Sequence, residues 1–242
     1  MTSIIDILSI PIGNVTMKEA QTLAFKCIDE GRAASIATAN AEMVMRAQSD
    51  SELAQILQQA DLVVPDGAGV LWAAEQQGKK FKERVTGVDL ACSLLQEAAA
   101  RQTAVYLFGG APGIAEQAAA NMQKRLGTLN VVGTHSGFSQ MMKKKIIEDI
   151  GSKGTRILLV ALGVPKQEKW IHEHLYELGP CVCMGVGGTF DVLAGKAARA
   201  PKWMQENRLE WLYRLLKEPT RFKRMLALPR FVLAVKGSKR SQ

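Results

Sequence analysis

Six short apolar runs, each separated from the next by a stretch of helical character, constrain this chain more than any other feature. The runs cover residues 33–38, 61–65, 103–108, 130–133, 155–162 and 181–186. Helix candidates lie among them at about 41–58, 67–77, 87–101, 112–126, 139–152 and 165–178. Strands this short, joined by segments long enough to cross back over a sheet, predict βαβ units. The expected fold class is therefore α/β, a mainly parallel sheet with helices on both faces. The opening IIDILSIPIG reads as an extra strand or hairpin, followed by a helix over 17–30. No internal repeat and no low-complexity linker interrupts the pattern.

The pattern changes after Gly195. Residues 1–195 form the expected α/β core, and residues 196–242 a helical appendage of two or three helices punctuated by Pro201, Pro219 and Pro229. The charge divides at the same place. Residues 1–195 carry 18 Lys and Arg against 20 Asp and Glu, whereas residues 196–242 carry 13 against 3. A net charge of +8 concentrated in one tail suggests an anionic partner, either phospholipid or nucleic acid. Arg214, Lys217, Arg221 and Arg224 share one face if helical geometry survives Pro219, with Leu212, Leu215, Leu216, Phe222, Met225 and Leu226 supplying apolar surface beside them. Such a segment is either a basic amphipathic helix for an anionic membrane or a helix packed on its own core with a solvated basic face. Nucleic acid is disfavoured, because Trp203, Trp211 and Tyr213 form no stacking series. The tail's apolar face is compatible with homo-oligomers.

No run approaches the roughly 18 apolar residues of a membrane span, and Asp6 interrupts what would be the core of a secretory signal. A cytoplasmic protein is expected. Cys27, Cys92, Cys181 and Cys183 suit no disulfide framework in a chain of this length. Cys181 and Cys183 alternate on one strand face and read as buried, reduced core residues.

In an open parallel sheet, ligands bind beyond the carboxyl ends of the strands. The residues expected there are Thr38 and Asn40, then Asp66 and Gly67, then Gly109, Gly110 and Gly113. Gly163 with the run from Pro165 to Glu168 follows, then Gly187 and Gly188 with Asp191. The runs LFGGAPG and GVGGTFD each place glycines between a strand and a helix start, where the backbone can approach a phosphate. Each is also what an ordinary strand-to-helix turn contains. Two such runs at one edge favour a phosphorylated ligand, best a nucleotide diphosphate.

Asp66 is the best-placed carboxylate to take a proton from an acceptor hydroxyl, and it is equally placed to cap a helix starting near Gly67. Arg84 either grips a diphosphate through its planar guanidinium or is an exposed loop charge. Gln167 is positioned to hydrogen-bond a sugar or uracil group. Metal chemistry finds little support. The chain has no Asp-x-Asp, and His172 and His174 point to opposite sides of a helix. No cofactor is implied, and without a metal a leaving diphosphate would rely on Arg, Lys and helix N-termini.

These segments resemble the WecG/TagA/CpsF glycosyltransferases over nearly the whole chain. The carriers are TANAE (38–42), PDG (65–67), ERVTGVD (83–89), FGGAPG (108–113), GVPKQEKW (163–170), GVGGTFDVLAG (185–195), RAP (199–201) and LEWLYRLLKEPTR (209–221). The resemblance implies a Rossmann-like, metal-independent, inverting enzyme at the cytoplasmic face of a membrane, with a C-terminal appendage that aids targeting and completes the site. It implies Asp66 as base, Thr38 and Asn40 as pocket residues, and functional roles for Arg84 and Gln167. It further implies that Arg214, Arg221 and Arg224 contact the diphosphate. The donor would be UDP-N-acetylmannosamine, its uronic acid or UDP-glucose, and the acceptor an undecaprenyl-diphosphate-linked sugar. Two other classes stand beside this one: a nucleotide-binding module that recruits partners to a membrane, and a basic RNA-binding protein.

Overall fold

A computed structural model describes residues 2–137, 143–207, 209–217, 222 and 226–238. A hairpin opens the chain, β1 (Ile4–Ile7) pairing antiparallel with β2 (Ile10–Gly13). Helix α1 (Met17–Asp29) follows, then β3 (Ala34–Ala39), α2 (Ala41–Ala47), α3 (Ser51–Gln59), β4 (Leu62–Pro65) and α4 (Ala68–Gln76). The middle of the chain runs α5 (Gly87–Arg101), β5 (Val105–Gly109), α6 (Ile114–Leu126), β6 (Val131–His135), α7 (Lys143–Ser152) and β7 (Ile157–Ala161). It closes with α8 (Lys166–His174), β8 (Val182–Gly185), α9 (Thr189–Leu193), α10 (Lys202–Glu206), α11 (Glu210–Lys217) and α12 (Ala227–Ser238).

Strands β3 to β8 form one six-stranded sheet in the order β4-β3-β8-β7-β5-β6, with every pair parallel. The expected α/β class is what the chain adopts. The central strands β5, β7 and β8 are buried at every position, as a sheet covered on both faces requires. The two-residue period sorts their side chains cleanly. Val105, Leu107, Ile157, Leu159, Val182 and Met184 face one core with α1, α5 and α6. Tyr106, Phe108, Leu158, Val160, Cys181 and Cys183 face another with α7 and α8. Both cysteines are thus buried core residues, as expected from their spacing. The hairpin, α2, α3 and α4 build a third cluster around Ile7, Ile10, Met43, Leu53 and Val70.

Local signals set the helix starts. Thr16 and Glu19 form a reciprocal capping box on α1, while Asn40, Asp50 and Thr86 cap α2, α3 and α5 through their side chains. The cap at Asp50 splits the single helix expected over 41–58 into two. Beyond residue 195 the described residues contain three helices. Pro229 falls inside the first turn of α12 rather than between helices, a place where its missing N–H costs no intrahelical bond. Helix α12 packs on α2 and α4, and its Phe231 and Val235 complete the third cluster.

Candidate active site

The carboxyl ends of β3, β4, β5, β7 and β8 surround one cleft of about 530 Å³, a size that suits a small ligand. It lies where the sheet order reverses. From β3 the chain steps outward to β4, whereas β8, β7, β5 and β6 fill the other side. Loops that diverge at such a point leave a crevice.

Asp66 leaves β4 with its backbone N–H bonded to the Ala39 carbonyl at 2.8 Å. Its Oδ2 accepts from the backbone N–H of Gly87, the first residue of α5, at 3.1 Å. The carboxylate therefore rests at the positive end of a 15-residue helix. The cap position of α4 falls on Gly67, one residue beyond Asp66. Thr38 is its neighbour. A Cβ added to Gly87 would lie 3.4 Å from both Asp66 Oδ2 and Thr38 Cγ2. Asn40 lines the same cleft while its side chain accepts from Met43 N–H at 3.0 Å to cap α2.

Arg84 reaches the cleft rim from the segment before α5. Its guanidinium donates to Glu210 Oε2 at 2.7 Å and to the Gln205 carbonyl at 3.2 Å. Both partners belong to the C-terminal segment. Arg199 binds Asp89 with both terminal nitrogens, at 2.5 and 2.6 Å, and its Nε lies 4.0 Å from Glu210. Burial acts to raise the Asp89 carboxyl, but hydrogen bonds from Arg199 and Thr86 outweigh it and hold the group below its ordinary value. The chain of charges from Arg84 through Glu210 and Arg199 to Asp89 joins the appendage to the core.

Gln167 is 2% exposed beneath the cleft. Its Oε1 accepts from Gly163 N–H at 3.1 Å and from Gly187 N–H at 3.0 Å, so one amide oxygen ties the loops after β7 and β8. Its Nε2 donates to Glu168 Oε1 at 2.8 Å. Gly110, Gly163, Gly187 and Gly188 line the cleft. Gly109 stands behind it: a Cβ there would lie 2.4 Å from the Ala161 carbonyl oxygen, at a φ of 120°. That glycine allows two strand ends to meet.

The cleft thus gathers Thr38, Asn40, Asp66, Arg84, Gln167 and five of the seven expected glycines, Gly67, Gly110, Gly163, Gly187 and Gly188. Arg221 and Arg224 lie outside the described residues, as does the side chain of Arg214. Sequence reasoning missed Glu210, Trp211, Leu215 and Leu228, which cover the cleft from the appendage. The amphipathic run EWLYRLL carried that signal, since a glutamate beside so many apolar residues is drawn partly out of water and needs a cationic partner. Among the described residues no group of three or more His, Cys, Asp or Glu side chains is arranged to hold a metal ion.

Comparison with known proteins gives the family. The model of the glycosyl transferase WecG/TagA/CpsF family matches residues 5–242. An N-acetylglucosaminyldiphosphoundecaprenol N-acetyl-beta-D-mannosaminyltransferase from Bacillus spizizenii strain W23 is 33% identical over 208 residues, covering 86% of this chain and 80% of that protein. One of the same name from Bacillus subtilis strain 168 is 31% identical over 208 residues, covering 86% and 81%. The chain belongs to the WecG/TagA/CpsF family and is a glycosyltransferase.

Proposed function

We propose that this enzyme transfers N-acetylmannosamine from its UDP derivative to an undecaprenyl-diphosphate-linked N-acetylglucosamine, without a metal ion and with inversion at the anomeric carbon. The observation that carries the reading is Asp66, set in the cleft against the first N–H of α5 with Thr38 beside it. Two relatives that share about a third of the sequence are named as N-acetylmannosaminyltransferases acting on N-acetylglucosaminyldiphosphoundecaprenol. In the proposed step the acceptor hydroxyl attacks the anomeric carbon as Asp66 takes its proton. The bond to the diphosphate breaks, and UDP leaves from the opposite face. A single displacement of this kind inverts configuration. Arg84 at the rim, with Arg214, Arg221 and Arg224, would stabilise the charge on the departing diphosphate.

No described helix is long and apolar enough to cross a membrane. Trp203, Leu216, Phe222, Leu226 and Leu233 are exposed on the appendage, within the segment that holds the basic excess. Apolar side chains among cations suit peripheral attachment to an anionic bilayer, where a polyprenyl acceptor resides. In this reading residues 1–195 form the catalytic core and 196–242 the membrane-associating appendage. Replacing the exposed Trp203, Leu216 and Leu233 with serine tests the attachment while leaving Phe231 and Val235 in the core: sedimentation with anionic liposomes should fall sharply, and undiminished sedimentation of the folded variant would contradict it.

The direct test of the reaction is UDP release from a panel of UDP-sugars, with and without a synthetic lipid-diphosphate-N-acetylglucosamine. Acceptor-dependent release from UDP-N-acetylmannosamine in the presence of a chelator is expected. Release from a different donor alone would reassign the sugar. Binding of UDP with no release from any donor would favour a recruitment module.

A further inference from the structure

Glu168 is the most deeply buried carboxyl among the described residues, 4% exposed, and nothing in the reaction above uses it. One oxygen, Oε1, accepts from Gln167 Nε2 at 2.8 Å. The other, Oε2, is buried without a hydrogen-bond partner. A buried carboxyl oxygen left unpaired is costly, and burial pushes the Glu168 carboxyl up to about 7. An apolar residue of similar size would avoid that cost, so the retained contact to Gln167 calls for an explanation.

The explanation lies in the amide of Gln167. A primary amide can turn over, exchanging its oxygen for its nitrogen with little change in shape. Only one orientation works here. With Oε1 toward the loops it accepts two N–H groups, those of Gly163 and Gly187. Turned over, Nε2 would confront both donors with a third. Glu168 Oε1 is an acceptor on the opposite side of the same amide, so it matches Nε2 and would repel Oε1. Gly185 makes room for the pair, since a Cβ there would lie 2.7 Å from Gln167 Nε2 and 3.0 Å from Glu168 Oε1. Two loop N–H groups, a carboxyl oxygen from α8 and the room left at Gly185 of β8 thus converge on one amide. Glu168 does not line the cleft, but Gly163, Gln167 and Gly187 do.

We propose that Glu168 is a positioning residue that locks the orientation of the Gln167 amide and thereby fixes the two glycine loops on which the donor's phosphates rest. This rests on the reading of the cleft as a nucleotide-sugar site. A glutamine at position 168 keeps an oxygen able to accept from Gln167, whereas a methionine fills similar space without one. The contrast between the two separates positioning from packing.

Two readouts decide the matter, and one needs no ligand. In Glu168→Met, amide hydrogen exchange at Gly163 and Gly187 should accelerate while the strand interiors of β5 and β7 keep their protection. The Kd for UDP should rise about tenfold or more, the cost of a mispaired buried hydrogen bond, with KM for the donor rising and kcat changing less. Glu168→Gln should restore most of both losses. Adding Glu168→Met to Gln167→Met should cost nothing beyond Gln167→Met alone, because the effect passes through one amide. Unchanged exchange at both glycines in a folded Glu168→Met protein, or additive losses in the double variant, would overturn the proposal. Failure of the wild-type protein to bind UDP would overturn the reading of the cleft instead, and the exchange data would still decide the role of Glu168.

Discussion

The floor and the roof of the cleft are held by different physics. The floor consists of strand ends and glycine turns fixed by buried, neutral hydrogen bonds to Gln167 and by direct backbone contact at Gly109. The roof is the appendage. Its α12 is anchored through Phe231 and Val235, but α11, which carries Glu210, Trp211 and Leu215 over the cleft, is tied through Glu210 to Arg84 and, at 4.0 Å, to Arg199. Buried neutral contacts are insensitive to salt and hold one geometry. Partly exposed ion pairs are screened and exchange partners readily. The reaction proposed above would use both, a fixed bed for the donor and a less rigid roof on the acceptor side.

Gly109 is where the floor can give least. An alanine there must clear the Ala161 backbone while adopting a left-handed φ, and each is costly. Gly109→Ala should destabilise the fold by more than about 3 kcal/mol in denaturant unfolding. A near-wild-type midpoint would show that the floor is softer than described.

Next in size is the pH dependence contributed by Glu168. Its folded value of about 7 stands above the ordinary 4.5 because burial disfavours the charged form. Between those values the unfolded chain releases a proton that the folded protein retains. Stability from this group therefore falls as pH rises through that window and levels off above about 7. Glu168→Gln removes the loss and should stabilise the protein at pH 8 by on the order of 3 kcal/mol relative to pH 4. An equal effect at both pH values would mean that the carboxyl is not desolvated in the folded state.

Smaller effects are expected at the roof. A double-mutant cycle of Arg84→Met and Glu210→Gln should give a coupling of about 1–2 kcal/mol in unfolding, shrinking in 0.5 M salt. Arg84 and Glu210 side chains are 16% and 14% exposed, so some screening by solvent is already present. A coupling that ignores salt would place this pair with the floor rather than the roof.

How legible this division was in the sequence depends on the range of the forces involved. The six strands were readable because apolar runs and helix periods are local signals, and their parallel direction alone placed Thr38, Asp66, Gly110, Gly163 and Gly187 at one edge without knowledge of any contact. The break between α2 and α3 was missed although Asp50 is a good N-cap, since periodicity continues across it. The partners of Arg84 were not readable. Gln205 and Glu210 are more than a hundred residues away, and nothing local distinguishes an arginine facing phosphate from one facing glutamate. Gln167 was singled out for a ligand contact, while its oxygen is engaged by two loop N–H groups whose convergence only the fold creates.

The measurement that bears most directly on the central claim compares wild-type and Asp66→Asn protein for UDP affinity and for acceptor-dependent sugar transfer, side by side. Asparagine preserves the shape and can still accept the Gly87 N–H, but it cannot take a proton. The expected result is a cooperative fold whose melting temperature falls by no more than a few degrees for the lost charge at the start of α5, UDP affinity within a factor of about three, and transfer reduced by about 10²-fold or more. Transfer near the wild-type rate would contradict Asp66 as the base and with it the chemical reading of the cleft.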